Sequence, residues 1–219
     1  PPPPPARAPR ALAAAHAKHD AGASETALEL LTVAAAGPLD ALQGARLELL
    51  RAQIAFHLTR GSEVPAMLLD AAKTLAPLDP ALSRATYLHA LDAAIITGGL
   101  GDGRGMPTVA EAARTAPAAP GPPGKADGLL DALVTTYTQG YAAGVPELRR
   151  ALEAFCADDA PAAAGGDTRR WLFLGSRSAL TLLDDELLYE LAERNVRLAR
   201  EAGALATLPV GLRFLSAGS

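Results

Sequence analysis

The chain has 219 residues, a formal net charge of −4, and a 49% hydrophobic share in which alanine dominates. Seven Val and three Ile are too few for the β-branched runs of a parallel sheet, which argues against a doubly wound fold. The mild acidity and the 4% aromatic content argue against a surface that binds nucleic acid.

Cysteine usage and the lack of targeting patterns indicate the compartment. Cys156 is the single cysteine, so no internal disulfide can form. The chain has neither a signal-peptide pattern nor an apolar run of 18 residues. We therefore expect a protein of the reducing cytoplasm with no membrane contact.

The first half of the chain is punctuated by Gly and Pro between helical stretches. Prolines dominate the first residues, and 1–8 is predicted to be an extended linker. Ser24 is the candidate N-cap of the second helix. Helices are predicted at 10–20, 24–36, 39–58, 66–75, 80–96 and 108–115.

The punctuation repeats with a fixed spacing. Gly22, Ala27 and Pro38 are separated by steps of five and eleven residues, and so are Gly61, Ala66 and Pro77, 39 residues later. This spacing predicts helix-turn-helix units, and the three in the first half span 9–116.

A Pro- and Gly-rich stretch, 117–125, is predicted to be a loop or linker before the second half, 126–219. Helices are expected there at 126–143, 146–157, 168–183 and 185–202, with Pro146 in a first turn. Segment 204–217 is predicted to be the first helix of a sixth unit. Because that helix lacks a partner, we expect the natural protein to continue past Ser219.

A two-helix unit of this size cannot bury its apolar stripe alone, so neighbouring units must stack. Ala27, Ala66 and Ala151 are the small residues expected where paired helices cross closely. The pattern predicts an all-α fold, a TPR-like α-solenoid of about five helix pairs in a right-handed superhelix. The period of 39 residues exceeds the 34 of the tetratricopeptide repeat itself.

Candidate catalytic and ligand motifs all have simpler explanations. Gly99, Gly101, Gly103 and Gly105 follow a helix, whereas a dinucleotide loop follows a strand. The Gly121–Lys125 segment departs from a Walker A motif at Ala119 and Ala126, so no ATP site is predicted.

Isolated polar residues give no site either. His16 and His19 are three residues apart, but His57 and His89 fall in other units, and a solvated helix face is the favoured explanation. The Asp158-Asp159 and Asp184-Asp185 pairs fit helix ends, and Cys156 fits a core position. No catalytic, cofactor-binding or metal-binding residue is predicted.

Four segments carry a family resemblance: 34–43 (AAAGPLDALQ), 46–56 (RLELLRAQIAF), 140–152 (GYAAGVPELRRAL) and 196–205 (VRLAREAGAL). Together they resemble the central helical region of the large ATP-binding regulators of the LuxR family, which are abundant in actinobacteria. The resemblance implies a TPR-like sensor scaffold in a transcriptional regulator. It also implies an N-terminal ATPase module using ATP and Mg²⁺, and a separate C-terminal helix-turn-helix that binds DNA, both outside this chain.

We therefore expect a non-enzymatic sensor scaffold that binds a small-molecule inducer or a protein domain. By TPR-like geometry, Glu48, Arg51 and Thr59 are candidates for the partner-binding surface. One alternative is a helical enzyme or metal protein with His16, His19 or His57 in a pocket beside a carboxylate. Another is a purely structural spacer. The oligomeric state and the signal are left open.

Overall fold

The structure, a computed structural model, describes residues 7–98, 105–157 and 166–201. These residues form ten α-helices and no strand, so the prediction of an all-α fold is confirmed. The chain divides into two compact units, residues 1–122 and 123–219. The division lies inside the stretch 117–125.

The described residues of the first unit form six helices, and each packs against the next along the chain from α1 to α6. α1 begins at Arg7, so the last two residues of the expected linker, Arg7 and Ala8, are helical instead. Positions 1–6 lie outside the described residues. The helices are α1 (Arg7–Asp20), α2 (Ser24–Ala35), α3 (Ala41–Leu58), α4 (Val64–Leu75), α5 (Pro80–Ile96) and α6 (Met106–Arg114).

Aspartates cap two of these helices. The Asp40 side chain accepts a hydrogen bond from the Gln43 backbone at 2.8 Å, and the Gln43 side chain accepts one from the Asp40 backbone, which completes a capping box on α3. Asp79 caps α5 by accepting from the Leu82 backbone at 3.1 Å. Arg46 of α3 also donates to Asp79 at 3.2 Å, which ties α3 to the start of α5.

Ser24 does not cap α2, contrary to the prediction. The N-cap residue is Ala23, and Ser24 is the first residue of the helix. The reason is the turn after α1: Gly22 has φ +80°, and the Ala23 N–H donates to the Lys18 carbonyl. This turn brings Ala23 to the cap position and buries Ser24.

Helix α3 is apolar on two nearly opposite sides. Leu47, Leu50 and Ile54 join residues of α1 and α2 in one core cluster. Ala45, Leu49 and Ala52 are also buried, but lie on the opposite side because successive residues turn by about 100° around the axis. Since α4 also packs against α3, the helix has neighbours on both sides.

The second unit contains α7 (Lys125–Gln139), α8 (Tyr141–Cys156), α9 (Gly166–Leu182) and α10 (Asp185–Glu201). The first two differ from the prediction, since α7 ends at Gln139 instead of residue 143. Gly140, with φ +96°, separates the helices. Pro146 is therefore inside α8, at its sixth residue, and the expectation of a first-turn position is wrong.

A glycine lies at a close approach between α7 and α8 in the second unit. A Cβ atom on Gly144 of α8 would lie 2.5 Å from the Thr136 Cα of α7. Ala151, expected at this crossing, is only partly buried, and so is Ala66 at the corresponding place in the first unit. Ala27 is fully buried, as expected.

Candidate functional site

The three predicted partner-binding residues share one exposed edge of α3. Glu48, Arg51 and Thr59 fall within about 80° of one another around the helix axis. Arg51 donates to Glu48 at 2.9 Å, and the exposed fractions of the two side chains are 41% and 56%. An exposed ion pair of this kind contributes about 0–1 kcal/mol, so a partner can replace it at little cost.

Thr59 lies farther along the same edge. It is eleven residues beyond Glu48, which corresponds to about 16 Å along the helix. Its hydroxyl donates to the Ala55 carbonyl at 2.9 Å and accepts from the Gly61 N–H at 3.2 Å. The Thr59 side chain is therefore engaged in hydrogen bonds at the C-terminal end of α3. Of the predicted surface residues, Glu48 and Arg51 are the two that contact each other.

Two histidines assigned to different units meet in space. The ring centres of His19 on α1 and His57 at the end of α3 are 6.1 Å apart, edge to face. The His19 Nδ1 atom lies 3.4 Å from the Ser24 hydroxyl. Burial lowers the pKa of His16, with Arg46 acting in the same direction and Asp20 opposing it.

These histidines do not assemble a larger ligand set. Across the ranges that the structure describes, no group of three or more His, Cys, Asp or Glu side chains is arranged to hold a metal ion. The contact between His19 and His57 follows from the packing of α1 against α3, which the spacing of the residues along the chain does not reveal.

An open groove lies in the first unit between α4, α5 and α6, with a volume of about 640 Å³. Volumes of roughly 300–1,000 Å³ are typical of ligand pockets. The sequence analysis identified none of its residues. The groove is lined by Lys73, Tyr87, Pro107, Thr108, Glu111, Ala112 and Thr115.

Tyr87 and Glu111 give this groove its distinct chemistry. The Tyr87 residue is only 3% exposed, and burial raises the pKa of its phenol, which is neutral near pH 7 even at its ordinary value. Glu111 is held by Arg114, whose Nε and Nη2 atoms both donate to the carboxylate. This hydrogen bonding lowers the pKa of Glu111.

The remaining sequence candidates have structural roles or lie elsewhere. Asp184 accepts from the Leu187 backbone at 3.0 Å and pairs with Arg149, so it caps α10 as expected. Asp158 and Asp159 lie outside the described residues, and so does the glycine loop apart from Gly105 at the start of α6.

Cys156, at the end of α8, is partly buried. Burial, together with the charge and hydrogen bonding of Glu190, raises the pKa of its thiol to about 11. Arg194 of α10 donates to the Cys156 carbonyl at 2.9 Å. This corner therefore joins α8 to α10 and keeps the thiol protonated.

None of the helices in the described ranges has the length and apolar character required to cross a bilayer. Comparison with known proteins identifies no relative: no family model, no curated protein and no solved structure matches the chain.

Proposed function

We propose that this chain is the sensor scaffold of a larger LuxR-type transcriptional regulator, built as a TPR-like α-solenoid. It binds an inducer or a protein partner and relays that binding to an ATPase module and a DNA-binding domain elsewhere in the protein. The chain itself catalyses no reaction. Cytoplasmic localisation follows from this role.

The two-sided burial of α3 is the main support for the proposal. In a stacked helical array, an inner helix needs apolar residues toward the preceding helices and toward the following helix. Leu50 packs with α1 and α2, whereas Leu49 is buried on the opposite side. Only the narrow edges of such a helix are exposed to solvent. The side chains on those edges must therefore determine binding specificity.

The edge with Glu48 and Arg51 fits a partner surface. Both groups are charged and exposed, and their mutual ion pair is weak. A partner that presents complementary charges would replace one exposed ion pair with two that exclude water, and this exchange favours specificity.

The reading frame that encodes the chain tests its place in a larger regulator. We expect a Walker A motif upstream and a basic helix-turn-helix downstream in the same frame. A natural stop immediately downstream, or an unrelated enzyme domain in either position, would refute the assignment.

Exchange of the two charges tests the surface itself. The double variant Glu48→Arg/Arg51→Glu preserves a local ion pair and should retain the thermal stability of the chain. In the full-length regulator we expect it to reduce inducer-dependent transcription about tenfold, because a partner meets the reversed pattern of charge.

A matched control uses the same residue types at the same spacing on α8. The variant Glu147→Arg/Arg150→Glu lies on an exposed face of the second unit and should leave transcription unchanged. Equal activity of the two double variants would exclude the α3 edge as the partner surface.

A further inference from the structure

The wall of the groove between α4, α5 and α6 includes the side chain of an otherwise buried tyrosine. Tyr87 is almost wholly buried but forms part of the groove wall. Within the described part of the chain, its hydroxyl forms no hydrogen bond. Because Tyr87 lies in the groove wall, a molecule bound in the groove can form a hydrogen bond with this hydroxyl.

The Tyr87 hydroxyl and the neighbouring Lys73 determine which ligand groups the groove can hold. A tyrosine phenol is neutral near pH 7 at its ordinary pKa, and burial raises the pKa of Tyr87 further, so its hydroxyl can donate a hydrogen bond as well as accept one. With Lys73 in the same lining, a ligand atom that accepts hydrogen bonds, such as a carboxylate oxygen, can contact both side chains.

The charges of the groove favour an anion. Arg114 already balances the Glu111 carboxylate through hydrogen bonds at 3.1 and 2.5 Å. Lys73 is exposed at the groove and makes no ion pair with another described residue. The groove therefore carries one uncompensated positive charge beside the Tyr87 phenol.

The remaining lining residues determine the apolar part of the ligand. Pro107 and Ala112 contribute apolar surface, and the Thr115 hydroxyl donates to the Ala112 carbonyl of its own helix at 2.9 Å. A small inorganic anion would leave this apolar surface uncovered, whereas a molecule with an apolar body would bury it.

We propose that the groove binds a small amphipathic organic anion, whose acid group is held by Tyr87 and Lys73 and whose apolar body lies against Pro107 and Ala112. The idea that this molecule is the inducer rests on the proposed sensor function. The idea that the groove binds it does not depend on the α3 edge.

A charge series of aromatic probes tests the proposal on the full chain. The probes are 2-naphthoate, the neutral 2-naphthamide and the cationic 2-naphthylmethylamine, and binding is followed by amide chemical shifts in NMR spectra. We expect saturable binding of 2-naphthoate, with shifts at Thr108 and Ala112. The amide should bind at least threefold more weakly, and the amine should not saturate.

Two substitutions assign the polar contacts. Tyr87→Phe removes only the hydroxyl and should raise the Kd of 2-naphthoate about fivefold, as expected for one lost hydrogen bond. Lys73→Met should raise it about threefold, and its exposed position keeps this variant folded. Tyr141→Phe and Lys18→Met are the matched controls at exposed positions and should leave the Kd unchanged.

Several results would overturn the site. These are an absence of saturable 2-naphthoate binding, an equal Kd in the groove variants and their controls, or tighter binding of the cation. The exchange of Glu48 and Arg51 should not change the Kd of 2-naphthoate. A failure at the groove is therefore distinguishable from a failure of the α3 surface.

Discussion

The crossing of α7 and α8 depends on the absence of a side chain at Gly144. Gly144 is buried, and a Cβ atom there would lie 2.5 Å from the Cα and 2.7 Å from the Cβ of Thr136. Carbon atoms pack best at about 3.5–4.0 Å, so Gly144→Ala must push the helices apart by about 1 Å. Rotation of a side chain cannot relieve a contact with backbone.

Two opposing effects determine the size of the change. Replacing a helical glycine with alanine favours the helix by up to about 1 kcal/mol. Overpacking of a well-packed contact costs about 1–3 kcal/mol, and the upper part of that range applies where backbone must move. We expect Gly144→Ala to lower the free energy of unfolding by about 1–2 kcal/mol.

Gly128 on α7 provides a matched control in the same pair of helices. A Cβ atom there would meet nothing within 4 Å. Gly128→Ala should therefore raise the free energy of unfolding by about 0.5–1 kcal/mol. The two alanine variants should differ in sign.

Urea unfolding followed by the fluorescence of Trp171 measures both effects. Trp171 is the single tryptophan and is 4% exposed in the second unit. A Gly144→Ala variant as stable as Gly128→Ala would refute the close approach. Full recovery in the double variant Gly144→Ala/Thr136→Ala would show that the contact involves only the threonine side chain.

Two further predictions concern titratable groups. With its pKa near 11, Cys156 should react with iodoacetamide at pH 8 about a hundredfold more slowly than a simple thiol, because the thiolate fraction falls tenfold per pKa unit. Glu190→Gln should speed this reaction while Glu193→Gln should not, and equal rates would contradict the role of Glu190. The lowered pKa of His16 means that the unfolded chain binds its proton more readily, so stability is lost as pH falls below about 6.5. Urea unfolding followed by circular dichroism at pH 7.0 and 5.5 should show a smaller decrease for His16→Gln, and an unchanged decrease would contradict this.

Helices with local start and stop signals could be predicted from sequence. α5 runs from Pro80 to Ile96, the predicted bounds, because Asp79 caps it, Pro80 occupies the first turn and Gly98 follows its end with φ +64°. The spacing of its apolar residues adds to these signals. Such features act over a few residues and need no knowledge of neighbouring helices.

The boundary at Gly140 could not be predicted in the same way. Apolar residues continue at helical spacing through Val134, Tyr137 and Tyr141, which favours one longer helix. In the structure, Tyr141 is 51% exposed at the start of α8. Because α7 ends early, Gly144 of α8 can approach Thr136. The same packing between helices places Pro146 inside α8, although a proline has no N–H to donate to the helix.

The same distinction separates the two candidate surfaces. Glu48 and Arg51 could be assigned to one face of α3 because their spacing alone determines that they are neighbours. Tyr87 lies on a helix that is buried almost all round, and its sequence does not show which side of α5 the neighbouring helices leave uncovered. Lys73, Tyr87 and Glu111 come together only because α4 and α6 both pack against α5. A site within one helix can thus be predicted from the helical spacing of its residues. A site between three helices depends on packing, which residue spacing does not specify.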